Sequence, residues 1–350
     1  MLSTLSFCLD SSMWITYQKT LTRVTILKKL LISVCALLGL CANTEPLAEW
    51  PQAELSNGII QTTLYLPDAE QGYYRGTRFD WAGAFKSLTY NGHSFVDQWF
   101  EQYDPKLHDA INGPVEEFKP LGYEDAKPDD TFVKIGVGVL RRADDKAYAF
   151  GKYYEVADYG HWKVKSHKDH IDFTHELDSP TGYSYLYRKT VRLVKGKPQL
   201  VLEHSLKNTV KLPIKTSVYN HNFFVMDKQP TGPGIEVLFP YEVKGEGLGF
   251  GSLIQPQGNR LVYARNLEKK ENVYSAGLQG FSPTANDYNI RIENVKTGAG
   301  IHITSDQSLE KLVYWACATT SCPEPYIRLE AAPNQEVTWR ITYEFYEKAK

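Results

Sequence analysis

From residue 46 onward the chain is built of short runs in which Val, Ile, Leu, Phe, Tyr and Thr alternate with polar residues, the period of a half-buried strand. Such runs are "KSLTYNGHSFV", "TFVKIGVGVL", "YYEVADYGHWKVKSHKDHIDFTHEL", "YSYLYRKTVRLV", "QLVLEHSLKN", "YNIRIENVKTGAGIHITS", "LEKLVYWAC" and "VTWRITYEFYE". Gly, Pro, Asn and Asp separate them, and "KTGAG" at 296–300 reads as a turn joining two strands. Very little has the 3.6-residue period of a helix. Many strands at hairpin spacing predict an all-β sandwich or barrel of antiparallel strands. No repeat, like-charge run or Pro/Gly/Ser-rich linker interrupts the pattern, so one domain is expected over 46–350. The stretch 97–130, which contains "DPKLHDAINGPVEEFKPLGYEDAKPDD", predicts a long irregular loop, and long ordered loops often carry function.

The first 41 residues have a different character. Lys28 and Lys29 precede "LLISVCALLGLCA", an apolar run of signal-peptide length that is short for a membrane span. Export, with removal near Ala42, is the expectation. The segment before Lys28 is long for such a leader, and Leu21 or Val24 would make a more ordinary start. Cys41 raises a lipoprotein anchor, but Leu40 stands where a small residue is usual. The leader is basic, with Lys19, Arg23, Lys28 and Lys29 against Asp10. The remainder carries 35 basic and 40 acidic residues, so a broad phosphate-tracking patch is not expected and nucleic acid is excluded as a partner.

Only Cys317 and Cys322 lie clear of the leader. In an oxidising compartment they can close a small disulfide in "CATTSC", or they are two small buried residues. His161, His167, His170 and His175 look metal-like in composition, but strand geometry at these spacings scatters the rings over both faces, and no metal or other cofactor is expected.

Four stretches hold more polar and aromatic groups than strands need: "YYRGTRFDWAG" (73–83), "NGPVEEF" (112–118), "YNHNFF" (219–224) and "CPEPY" (322–326). Aromatic rings beside Arg, Glu, His and Asn suit a sugar, which offers hydroxyls to planar polar groups and a weakly apolar face to a ring. His221 is the acid–base candidate because imidazole titrates near working pH. Glu324, between Pro323 and Pro325, is a carboxylate on a stiff mount. Arg78 can clamp a substrate in bidentate fashion or form a structural ion pair with Asp80 or Glu117. Glu116 and Glu117 are adjacent, so at most one of them faces a pocket.

Taken in order, these motifs resemble the galactose mutarotase-like superfamily, the aldose 1-epimerases and their relatives. "VYNHNFF" is similar to that family's Asn-His-aromatic strand, "CPEPY" followed by "APNQEVTWRITYEF" to its carboxylate and closing strands, and "RFDWAGAFKSLTYNGHSF" to its opening strands. In place of a His-Gly motif in the first half the chain has "INGPVEEF", with His108 just upstream, which sets it closer to a bacterial branch than to the well-known galactose enzymes. The resemblance implies a β-supersandwich with a sugar-binding face, working without a cofactor. It implies that His221 protonates the ring oxygen of an aldose while Glu324 takes the proton of the anomeric hydroxyl. It further implies that Arg78, Glu117, Asn220 and Asn222 hold hydroxyls and that Trp81 or Trp315 stacks on the sugar. Two other readings stay open on this scaffold: a carbohydrate-binding domain without turnover, and a glycosidase or polysaccharide lyase pairing Glu116 or Glu117 with Glu324 or using a Tyr/His pair. The partner in every case is a mono- or oligosaccharide, and the oligomeric state is left open.

Overall fold

Alternation along the strands produces two broad antiparallel sheets and two small ones. The computed structural model describes residues 50–348, so the leader and Cys41 lie outside the described residues. The largest sheet has ten strands in the order Ile254–Gln257, Arg260–Tyr263, Ile235–Leu238, Asn289–Asn294, Ala299–Ser305, Glu336–Glu347, Gln199–Asn208, Tyr185–Leu193, His170–Leu177 and His161–Ser166. A five-stranded sheet runs in the order Val273–Ser275, Lys311–Cys317, Thr320–Ala331, Ile214–His221 and Val115–Phe118. Four N-terminal strands between Gln52 and Val96 form a third sheet, and Thr131–Lys134, Gly138–Arg141 and Val156–Asp158 form a fourth. The protein is all-β, as the pattern predicts. Among the described residues no helix is long and apolar enough to cross a membrane.

The five-stranded sheet is covered on one face by the ten-stranded sheet. Phe118 meets Tyr187 and Trp339 edge-on, with ring centroids 5.5 and 6.2 Å apart, and Phe224 meets Tyr343 at 5.8 Å. All five rings are buried, and burial of such areas is the main favourable term in folding. Because side chains alternate across a strand, the opposite face of the same five strands is left to line a cavity. Which face a residue belongs to is set by its parity.

One strand falls where a loop was expected. Val115–Phe118 lies within 97–130 and pairs with Ile214–His221, placing Glu117 opposite Tyr219 and Val115 opposite His221. All four of its residues are buried, so it shows no polar–apolar alternation, and its two glutamates hide it further. The mirror case is Thr320–Ala331, a strand with Pro323 and Pro325 inside it. Proline lacks the N–H a ladder needs. The pairing with Ile214–His221 accordingly stops at Tyr219–Tyr326, one residue before Pro325. Asn222 takes over there, its Nδ2 donating to the Pro323 carbonyl at 2.8 Å.

Cys317 and Cys322 form no disulfide; both are free thiols, and Cys322 is buried. They sit on the two arms of a hairpin, but Cys317 pairs with Thr320 and Cys322 with Trp315, so neither faces the other. The small-buried-residue reading holds for Cys322.

Candidate active site

A cavity of about 740 Å³ opens on the uncovered face of the five-stranded sheet. Its floor is laid by parity. Tyr219 and His221 from one strand, Glu324 and Tyr326 from the next, Val313 and Trp315 from a third and Glu117 from the fourth all line it. Continuing the register that pairs Tyr219 with Tyr326 sets His221 opposite Glu324. Their side chains meet, with His221 Nε2 and Glu324 Oε1 3.4 Å apart. Phe223 stacks on the imidazole at 3.6 Å, and Phe79 and Trp315 meet it edge-on at 5.9 and 5.6 Å.

This apolar setting shifts both groups toward their neutral forms. Burial pushes the Glu324 carboxyl up to about 8, with Arg78 opposing and Glu117 reinforcing the rise. Burial, aided by the Arg78 charge, pulls His221 well below the usual imidazole range. His221 Nδ1 is buried without a hydrogen-bond partner. Both shifts favour the neutral forms, a protonated Glu324 carboxyl beside an unprotonated His221 imidazole.

Beside the pair stands a charged wall. Arg78 Nε donates to Glu117 Oε2 at 2.7 Å, its Nη2 donates to the Tyr219 hydroxyl at 2.9 Å, and its Nη1 bonds Asp109. Tyr219 in turn donates to Glu117 Oε2 at 2.6 Å, and Lys134 Nζ donates to Glu117 Oε1 at 3.1 Å. Burial alone would raise the Glu117 carboxyl, but Lys134 and Arg78 hold it down at about 2. Both Glu117 oxygens are engaged, so it is an anchor for the cations and not an idle base. At the rim, Phe150 lies under the Arg78 guanidinium at 4.2 Å, and Phe150 and Tyr274 remain 52% and 44% exposed.

Of the residues expected at the site, His221, Glu324, Arg78, Glu117 and Trp315 line the cavity. Three do not. Asn220 and Asn222 alternate with His221 and so point into the core: Asn220 Nδ2 donates to Glu116 Oε1 at 3.0 Å, and Asn222 Oδ1 accepts from Tyr343 at 3.1 Å. Trp81 is buried in a neighbouring aromatic cluster, its indole N–H given to the Gly76 carbonyl at 2.8 Å. Of the two adjacent glutamates Glu117 faces the cavity. Glu116 lies beneath the sheet, bonded by Lys189 and by His204 Nε2 at 3.0 Å, and although burial would raise it these two hold it down at about 2. Tyr219, Tyr326 and Asp109 line the cavity without having been singled out. For the two tyrosines the signal was present: each is two residues from a candidate, Tyr219 before His221 and Tyr326 after Glu324.

With this geometry fixed, the chain can be set beside known proteins. No family model matches it, and no curated protein matches its sequence. Solved structures do. The Slr1438 protein of Synechocystis is 14% identical, covering 86% of this chain and 97% of its own, with a TM-score of 0.52. The fold is shared with solved structures described as galactose mutarotase-like. A galactose mutarotase-like protein from Clostridium acetobutylicum aligns over 85% of this chain and 95% of its own at 12% identity, TM-score 0.51. A GalM/aldose epimerase homologue from C. elegans aligns over 86% and 99% at 13% identity, TM-score 0.50. The fold that the motif resemblance implies is thus matched over 85–86% of the chain.

Proposed function

We propose that the protein is an aldose 1-epimerase that interconverts the anomers of a sugar bound in the cavity. The observation that carries this reading is the His221–Glu324 pair, 3.4 Å apart in a buried corner of the cavity lined by Phe223, Phe79 and Trp315. Mutarotation needs an acid for the ring oxygen and a base for the anomeric hydroxyl, and both oxygens are bonded to one carbon. Two groups this close can address both at once. Glu324 would give its proton to the ring oxygen while His221 takes the hydroxyl proton, the reverse of the roles the motif resemblance implies. The C1–O5 bond breaks to an aldehyde, the C1–C2 bond turns, and closure with the proton transfers reversed yields the other anomer. Each group is worth on the order of 10²- to 10⁴-fold.

Tyr326 and Trp315 would offer a hydroxyl and ring faces to the sugar, and the exposed Phe150 and Tyr274 extend the apolar surface beyond one ring. A volume of about 740 Å³ exceeds what one hexose fills, which favours a reducing-end oligosaccharide or a substituted sugar. The paired-carboxylate glycosidase reading is weakened by Glu117, whose two oxygens are occupied, and by Glu116, which lies on the core side. The Lys-flanked apolar leader supports export to the periplasm or beyond, testable by the N-terminal sequence of the mature protein. Polarimetry or NMR on freshly dissolved sugars, from glucose and galactose to maltose-type disaccharides, tests the activity. Accelerated anomer exchange that Glu324→Gln abolishes supports it; retained sugar binding without acceleration favours a carbohydrate-binding module.

A further inference from the structure

The hairpin at the edge of the ten-stranded sheet gathers side chains that the alternation rule sends apart. His161–Ser166 and His170–Leu177 are its arms. Two of its four histidines behave as expected of scattered structural residues: His161 lies at the far end of the hairpin, and His175 is buried against Trp162 with its Nε2 beside the Tyr159 carbonyl. The other two meet. The turn folds His167 back so that its N–H donates to the His170 carbonyl at 2.8 Å, and the two imidazoles stack 4.2 Å apart at 10°. Asp172, two residues on, shares a face with His170. Its Oδ2 is 3.6 Å from His167 Nε2 and 3.8 Å from His170 Nε2, and all three donor atoms lie within 4.8 Å of one another.

These separations are too long for hydrogen bonds. The distances are close to what a metal requires, because donors held about 2.0–2.2 Å from a tetrahedral Zn²⁺ sit roughly 3.3–3.5 Å apart, and binding would turn the exposed His167 ring out of its stack so that both Nε2 lone pairs point at the ion. Outer partners for two of the three ligands are also in place. His170 Nδ1 lies 2.8 Å from Asp169 Oδ1, which fixes the ring and leaves Nε2 as the ligand atom. Thr190 Oγ1 donates to Asp172 Oδ1 at 2.6 Å, which leaves Oδ2 turned to the imidazoles. We propose that His167, His170 and Asp172 form a binding site for a borderline transition-metal dication, Zn²⁺ foremost. Two nitrogen donors and one carboxylate suit Zn²⁺, Ni²⁺ or Cu²⁺ and not Ca²⁺ or Mg²⁺. The fourth position faces solvent, since the three residues are exposed or half-buried. None of the three lines the sugar cavity, so the site stands independently of the epimerase reading.

The test is a calorimetric titration of Zn²⁺ into the untagged mature chain, with Co²⁺ absorption as a second readout of coordination geometry. One equivalent is expected to bind to the wild type. His170→Ala and His167→Ala each should weaken binding at least tenfold, and Asp169→Asn, which removes only the outer partner, about 10- to 100-fold. His161→Ala should leave it unchanged. All four positions are on an edge hairpin, so circular dichroism before titration separates loss of metal from loss of fold. Absence of Zn²⁺ binding to the wild type, or binding that survives in the His167→Ala/His170→Ala double variant, overturns the proposal.

Discussion

His221 Nε2 and Glu324 Oε1 approach to 3.4 Å across adjacent strands whose ladder has just ended at Tyr219–Tyr326. Their contact is a consequence of register, and their chemistry a consequence of burial. Removing either group alone is expected to lower kcat for anomer exchange by about 10²- to 10⁴-fold, and removing both should cost little more than removing one, because each is useless without its partner. Progress curves for His221→Ala, Glu324→Gln and the double variant check this.

The pH profile follows from the same two residues. With Glu324 raised to about 8 and acting as the acid, kcat/KM should fall as pH rises through about 8. His221, lowered well below its ordinary range, should stay a competent base throughout neutral pH, placing the acid limb below about 6.5. A profile with no basic limb between about pH 7 and 9 would remove Glu324 from the acid role.

Glu324 should also cost the fold stability. Its folded pKa of about 8 exceeds the ordinary 4.5, so between these values the unfolded chain has released the proton and the folded chain still holds it. Stability contributed by this residue is therefore present below about 4.5 and lost as pH rises to about 8. Glu324→Gln has no such proton. Its denaturation midpoint, compared with wild type, should improve between pH 4.5 and 8.5, by on the order of a few kcal/mol.

Glu117→Ala should act in the opposite direction. It strands Lys134, whose side chain is 0% exposed, and Arg78, at 8%, without their shared carboxylate. Breaking a buried ion pair from one side typically costs about 3–5 kcal/mol. Urea unfolding at pH 7 measures it. Lys134→Met paired with Glu117→Gln should recover much of the loss, since it removes a charge together with its partner.

Cys317 and Cys322 should titrate as two thiols rather than one disulfide. Burial pushes Cys322 well above the usual thiol range, so it should react with a thiol reagent only after denaturation, while the half-buried Cys317 reacts in the folded protein. Reductant should leave the melting temperature unchanged.

The sequence carried the fold more clearly than the site. Period-two runs such as Tyr185–Leu193 alternate buried positions with half-buried or exposed ones, as Gln199–Asn208 does beyond Leu202, and these were readable as strands. Val115–Phe118 was not, because both its faces are covered. At the site, chemistry identified His221 and Glu324, but adjacency misled for Asn220 and Asn222. The same parity that predicts a strand assigns those asparagines to the core, where they serve Glu116 and the Pro323 carbonyl. Trp81 failed for a different reason: its neighbours along the chain, Arg78 and Asp80, part to the cavity and to the buried Lys189 cluster, and no local pattern places the indole between them. The meeting of His167 with His170 depended on a turn whose conformation the flanking strands do not encode.

The division of 219–223 between two environments bears on how this protein can change over time. Tyr219, His221 and Phe223 face the cavity, while Asn220 and Asn222 bond into the core. Point substitutions at Tyr219 can retune the ligand while the asparagine contacts beneath the sheet stay in place. A single inserted or deleted codon upstream within the strand would exchange the two sets, burying the imidazole and emptying the cavity in one step. Diversification of this segment should therefore proceed by replacement at constant length, with gains and losses of residues confined to the rim around Phe150 and Tyr274.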